Sequence, residues 1–263
     1  MDYQAIELNV ADGVAVLTLN RPEKMNALNA QMRAEITHAV NDIALHGHMQ
    51  GIRVLVLTGA GAAFCSGQDL GDGGNAANLD LERTLRDEYT PMIRAILDCP
   101  LPVISAVNGA AAGAGANLAL AADVVIATES AVFIQAFARI GLMPDAGGTY
   151  MLPRQMGMAK AMGAALFADK ISAKQADDWG MIWEYVPDSD FADHWKARAA
   201  HLANGPTAAY ARIKEAMRTT WTNNLDQQLA HEAKLQGACG KTRDFQEGVV
   251  AFLEKRPARY EGR

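Results

Sequence analysis

The chain has 263 residues with 24 basic and 30 acidic side chains, a formal charge of −6. Half of it is hydrophobic and 21% charged, which excludes an intrinsically disordered chain and leaves enough apolar surface for one to two domains. The acidic balance argues against a general nucleic-acid binder, and Cys65, Cys99 and Cys239 are too few and too scattered for a disulfide scaffold or a zinc knuckle, so a reducing, cytoplasmic setting is expected.

The first segments, Ala5 to Asn9 and Val14 to Asn20, alternate like strands, and Asp12-Gly13 between them signals a hairpin turn. No basic segment leads into an apolar core here, so no signal peptide is expected. From Asn29 to Leu45, Met32, Ile36, Val40 and Ile43 recur at helical spacing, with Asn29 placed to cap the helix. Ile52 to Thr58 is a continuous β-branched run, hence a buried strand. Gly71 to Asn78 is rich in glycine, asparagine and aspartate and reads as a surface loop, either a lid or an ordinary connection. A helix then runs through Leu97 and stops at Cys99-Pro100.

Leu101 to Ala122 contains no charge, but Pro102, Ser105, Asn108, Asn117 and three glycines make it too polar for lipid. It reads as a strand (Val103 to Val107), a turn and a helix (Gly113 to Ala121), followed by a strand from Val124 to Ala127. From Ala159 onward the pattern is almost all helical, with segments at Asp188 to Ala203, Thr207 to Thr219, Leu225 to Gly237 and Thr242 to Leu253. The 49 alanines favour closely packed helices. Alternating strands and helices followed by a helical tail predict an α/β core with a helical appendage.

Chemistry-bearing residues are sparse. Thr58-Gly59-Ala60-Gly61 lacks the third glycine of a dinucleotide fingerprint and no helix follows, so it is a strand-ending turn. Gly109 to Gly115 leaves a buried strand and enters a helix, where small residues either expose the first helical N–H groups to a ligand oxygen or simply allow tight packing. Asp145, in Gly141-Leu142-Met143-Pro144-Asp145-Ala146-Gly147-Gly148-Thr149, is either an ordinary N-cap or a carboxylate base in an apolar pocket. The six histidines show no metal-ligand spacing, His46 and His48 read as solvated, and Cys65 has no histidine near it in sequence.

Four segments, in this order, resemble the crotonase (enoyl-CoA hydratase/isomerase) superfamily: Asn20 to Leu28, Phe64 to Leu70, Val107 to Gly115 and Gly141 to Thr149, with Glu247 to Arg256 fitting the family's ending. The resemblance implies a spiral of ββα units over residues 1–200 and a C-terminal helical trimerisation region over residues 201–263. It implies an acyl-CoA substrate, a homotrimer or dimer of trimers, no cofactor beyond the coenzyme A of the substrate, no metal, and no nucleic-acid or membrane partner. Carried over residue by residue, the N–H groups of Gln68 and Ala114 hold the thioester oxyanion. Lys24, Ala27, Ser66, Asp69 and Leu70 match the CoA-binding region, and Phe252 and Lys255 reach the CoA of a neighbouring subunit.

Family hydratases carry two glutamates, at positions that are Asn117 and Phe137 here. Hydration needs one group to activate water and a second to manage the α-proton, whereas moving a double bond needs one base. The resemblance therefore points to the isomerase branch, with Asp145 as the base. It is strongest to isomerases that turn 1,2-epoxyphenylacetyl-CoA into oxepin-CoA in phenylacetate degradation and shift 3-enoyl double bonds to the 2-position. A dehalogenase branch keeps an aspartate at the same place, but its tryptophan and histidine are Phe137 and Arg94 here. Phe133, Phe137 and Met143 are expected either to wall the acyl group or to pack the core. Hydration, another crotonase reaction, and a non-enzymatic binding role are the alternatives.

Overall fold

The computed structural model describes residues 2–71 and 80–263. Strands β1 (Ile6–Ala11) and β2 (Val14–Leu19) pair antiparallel, turned by Asp12 and Gly13, both at positive φ (50° and 79°) as a two-residue hairpin demands. Helix α1 (Ala30–His46) begins where expected: the Asn29 side chain accepts the Met32 N–H at 2.8 Å. Met32, Ile36, Val40 and Ile43 form its buried stripe.

From there the chain winds as a repeating unit. Strand β3 (Val54–Gly59) is followed by β4 (Ala63–Cys65), then by α2 (Leu81–Thr84), a π-helical turn (Leu85–Tyr89) and α3 (Thr90–Asp98). The second unit is β5 (Val103–Val107), β6 (Ala110–Ala112) and α4 (Ala114–Leu120). The third is β7 (Val124–Thr128), β8 (Val132–Ile134) and α5 (Gly148–Phe167). In each unit the first strand joins a large sheet and the second a small one. The large sheet has the order β1-β2-β3-β5-β7-β10 and the small sheet β4-β6-β8-β9, completed by β9 (Lys170–Ser172), α6 (Ala173–Asp178) and β10 (Glu184–Val186). This is a ββα spiral. The strands from β2 to β10 in the large sheet run parallel, as do β4, β6 and β8.

Both faces of the large sheet are covered, which explains the unbroken apolar runs. Leu55 and Leu57 face the main core under α1 and α3, while Val54 and Val56 face Phe191, Ala199 and Ala203 of α7 (Phe191–Ala203). Helices α8 (Thr207–Thr219), α9 (Leu225–Cys239) and α10 (Arg243–Glu254) close the chain, within two residues of their predicted bounds.

Three expectations change. The helical tract expected from Ala159 belongs to α5, which already starts at Gly148 and is kinked at Gly157 (φ 78°, ψ 158°). The short strands β9 and β10 interrupt the tail, and β4, β6 and β8 were not anticipated. Residues 72–78 of the expected Gly71 to Asn78 loop lie outside the described residues. Among the described residues no helix is long and apolar enough to cross a membrane.

Candidate active site

The C-terminal ends of three neighbouring parallel strands, β4, β6 and β8, converge on one cavity of about 810 Å³. The segment after β4 supplies Ser66, Gly67, Gln68 and Leu70; the one after β6 supplies Gly113 and Ala114; the one after β8 supplies Phe137. The turn into α5 adds Met143 and Asp145. Gln68, Ala114 and Asp145, far apart in sequence, therefore face one space.

The two main-chain donors are free. Ala114 opens α4, so its N–H has no intrahelical acceptor, and it donates to no acceptor among the described residues. Gln68 sits opposite Leu28 in an isolated parallel bridge: Leu28 N–H donates to Gly67 O at 2.7 Å and Asp69 N–H to Leu28 O at 3.1 Å. In that register the intervening Gln68 N–H points away from the bridge and likewise finds no acceptor among the described residues.

The glycines divide between packing and shaping the site. A Cβ on Gly109 would lie 2.1 Å from Ala62 O and one on Gly115 2.3 Å from Cys65 O, so these two serve close packing. Gly67 (φ 98°) and Gly113 (φ 52°) instead shape the cavity, and a Cβ on Gly67 would press to 2.8 Å from Ala112 O and 3.5 Å from the Ala114 nitrogen.

Asp145 is not an N-cap. Helix α5 is capped by Gly147 with no side-chain bond. The carboxyl lines the cavity, its Oδ1 is buried without a partner, and burial lifts its pKa from the ordinary 3.8 to about 6. Its backbone carbonyl accepts from Gly148 N–H and from Asn117 Nδ2, both at 2.8 Å.

A second carboxylate, Glu88, also lines the cavity but is occupied. Arg33 holds its Oε2 at 2.6 Å and Arg83 its Oε1 at 3.2 Å. The same Arg33, itself almost fully buried, donates to Gln68 Oε1 (2.9 Å) and Leu28 O (2.8 Å) and stacks 4.9 Å from the centre of the Tyr89 ring. Tyr89 donates its hydroxyl to Gln68 Oε1, and burial pushes that hydroxyl's pKa upward, keeping it a neutral donor. Arg33, Glu88 and Tyr89 were not singled out from the sequence. A signal existed for Arg33, which falls on the apolar stripe of α1 at i−3 from Ile36.

The other expected residues lie around or away from this cavity. Lys24 and Ala27 are not among the lining residues but run beside the Gln68 loop: Ser66 Oγ donates to Lys24 O at 3.3 Å and Arg21 Nη1 to Ala27 O at 2.6 Å. Asp69 is also outside the lining. Burial opposes its ionisation, yet the paired Arg21 (2.9 Å) and the Gly71 N–H hold its carboxyl below the ordinary range. Leu70 and Met143 are exposed at the cavity rim, and Phe137 is buried with its ring against Gly113.

The expectation for Phe133 is corrected. It occupies the inward position of β8, opposite Ala111 and Ile171, is fully buried, and is not a lining residue; it packs the core. Phe252, 82% exposed, and Lys255 lie on and just after α10 and do not line this cavity. Cys65 is buried, donates its Sγ–H to Asn26 O, and its thiol is pushed up to about 12 by burial, which excludes a thiolate nucleophile at neutral pH.

Residues 9–263 match the family model described as Enoyl-CoA hydratase/isomerase. A Rhodobacter capsulatus protein named "Probable enoyl-CoA hydratase" is 62% identical over the full length of both chains. The 1,2-epoxyphenylacetyl-CoA isomerase of Escherichia coli is 46% identical over 97% of each chain. Among solved structures, an enoyl-CoA hydratase from Polaromonas sp. JS666 superposes with a TM-score of 0.91 at 34% identity, covering 98% of this chain and 100% of that one. The chain belongs to the enoyl-CoA hydratase/isomerase family, with the crotonase fold, and is an enzyme of that family's acyl-CoA chemistry.

Proposed function

We propose that this enzyme is an acyl-CoA isomerase that converts 1,2-epoxyphenylacetyl-CoA to oxepin-CoA and moves 3-enoyl-CoA double bonds to the 2-position. The observation that carries this reading is that, among the described residues lining the cavity, Asp145 is the one carboxylate without a cationic partner. In the enoyl reaction Asp145 takes the proton from the carbon next to the thioester carbonyl and returns it to C4. Between the two transfers the Gln68 and Ala114 N–H groups hold the enolate oxygen, each such donor contributing roughly 3–4 kcal/mol to the transition state. With the ring epoxide the same base removes the acidic proton next to the thioester carbonyl, the same donors hold the enolate while the ring expands, and Asp145 returns the proton to a ring carbon, so that substrate and product remain isomers. Phe137 and Met143 give the acyl group an apolar wall, and the 46% identity to the E. coli isomerase supports the ring substrate.

Assembly as a trimer or dimer of trimers is part of the same reading. It is supported by the apolar side chains left exposed on α5 and the tail helices, among them Met162, Phe167, Met217 and Phe252. Phe252 and Lys255 then contact the CoA of a neighbouring subunit.

The second reading is hydration, favoured by the name of the R. capsulatus relative and by Glu88 in the cavity. It requires Glu88 to leave two guanidinium groups before it activates water. Supplying 3-hexenoyl-CoA and 2-hexenoyl-CoA separates the two: the proposal requires conversion of the first into the second, with little addition of water to the second. Fast hydration of 2-hexenoyl-CoA, abolished by Glu88→Gln, would replace isomerisation with hydration.

A further inference from the structure

Asn117 lies in the first turn of α4, three residues after Ala114, and is fully buried. Its side-chain amide is bonded at both ends. Nδ2 donates to Asp145 O at 2.8 Å, and Oδ1 accepts from Gln135 Nε2 at 2.9 Å. Gln135 is fully buried too, just after β8 and two residues before Phe137, with its own Oε1 unpartnered. The turn that carries Asp145 closes directly onto this amide: a Cβ on Gly148 would lie 2.3 Å from Asn117 Nδ2.

Burying two amides is unfavourable unless their bonds are made, and packing alone is served as well by leucine or alanine. The turn is closed by its own Gly148 N–H to Asp145 O bond, yet Ala146 inside it (φ 46°) is in the left-handed region, which a residue with a side chain keeps where its surroundings hold it there. Asn117 adds a second bond to the same carbonyl, from the helix whose first N–H faces the cavity.

We propose that Asn117, tethered by Gln135, is the positioning residue for Asp145. It fixes the 145–148 turn to α4, so that the carboxylate and the Ala114 donor keep one separation through the proton transfer. The position that holds a glutamate in family hydratases thereby serves the single base of this enzyme without entering the chemistry. This inference rests on the reading of Asp145 as the base.

The test is the double variant Asn117→Leu/Gln135→Leu, which removes both buried amides together and leaves apolar side chains in their place, a change less costly than stranding one amide without its partner. The Asp145 carbonyl keeps its bond to Gly148 N–H. With 3-hexenoyl-CoA, kcat is expected to fall about 10- to 100-fold, the range set by small displacements of a reacting group, with KM within about threefold of wild type. The acidic limb of the pH–rate profile moves to lower pH as water reaches the released turn. Gln135→Leu alone, which leaves the Asn117–Asp145 bond in place, gives a smaller loss in the same direction and stands in where the double variant does not fold.

Wild-type kcat and acidic limb in a folded variant overturn the proposal. So does a kcat loss that merely follows a lower melting temperature while the acidic limb stays in place. Asp145→Asn separates the two levels. If it is inactive while the double variant is wild type, only the brace fails; if it keeps full activity, the base assignment itself fails.

Discussion

Replacing Asp145 by asparagine is expected to do two opposite things, and both follow from one buried oxygen. The carboxyl sits in the cavity wall with Oδ1 unpartnered, and burial raises its pKa from 3.8 to about 6. A carboxyl whose folded pKa exceeds its unfolded pKa binds more protons in the folded state, so wild-type stability falls as pH rises from about 4 to about 7 and is flat above that. The full shift corresponds to about 3 kcal/mol, and the solvent-facing side of the group reduces this to about 1–2 kcal/mol. An asparagine side chain does not titrate, so the variant escapes that loss. Its melting midpoint should exceed wild type by roughly 2–8 °C at pH 8 and match it closely near pH 4, using about 2–4 °C per kcal/mol for a chain of this size. In the same preparation, 3-hexenoyl-CoA isomerisation should drop by about 10²- to 10⁴-fold, the usual contribution of a positioned base. Calorimetry across pH and a double-bond migration assay read the two effects separately. A variant no more stable at pH 8 than wild type, or a stability gap that does not widen with pH, would refute the claim that this carboxylate is held at the expense of stability.

Three further outcomes follow from the same geometry. The kcat/KM of isomerisation should rise with pH and level off above an apparent pKa of about 6, because the unprotonated Asp145 is the active form; a profile flat from pH 5 to 8 would contradict this. Gly67→Ala places a Cβ 2.8 Å from Ala112 O at φ 98°, and should lower kcat about 10²-fold by displacing the Gln68 donor, read in steady-state kinetics against an unchanged oligomer size. Arg33→Met breaks a largely buried pair and leaves Gln68 Oε1 with the Tyr89 hydroxyl as its one remaining donor among the described residues. It should cost about 3 kcal/mol of stability in urea unfolding, at the low end for such pairs because Arg83 stays on Glu88.

Much of the fold was legible because its signals repeat. The first hairpin has alternating strands around a two-residue turn, the stripe of α1 recurs at helical spacing, and β3, β5 and β7 are continuous apolar runs, each signal resting on several residues. The small sheet was not legible, since β4, β6, β8 and β9 have three residues each, too few for alternation to stand out, and β6 is three alanines in a tract that also reads as helix. Helix α5 shows a third case. The expected helical tract from Ala159 corresponds to the part after the Gly157 kink, and the earlier part was hidden by Gly147, Gly148 and Pro153, which read as breakers but are tolerated at a helix start and before a kink.

The site divides along a different line. Gln68 and Ala114 came from the family resemblance, because a free N–H leaves no mark on the side chain of its own residue, whereas Asp145 stood out from its segment as a cap or a base and the resemblance chose between them. Arg33 and Glu35 show what residue-level reading still offered: both charges fall on the buried side of α1, and a charge there must find a partner. Glu35 takes the N–H groups of Gln4 and Ala5 at 2.7 and 2.8 Å, fixing the entry to the first strand, and Arg33 takes Glu88 and Gln68, fixing the Gln68 loop at the cavity. The distinction between a structural and a functional buried charge thus lay in what each one reaches across the fold. Phe133 and Phe137 repeat the lesson for apolar residues: four positions apart, one is inside β8 and packs the core, and the other lies past the strand's end and faces the cavity. In a spiral whose strand ends build the site, distance from the last paired residue decides which aromatic faces the cavity.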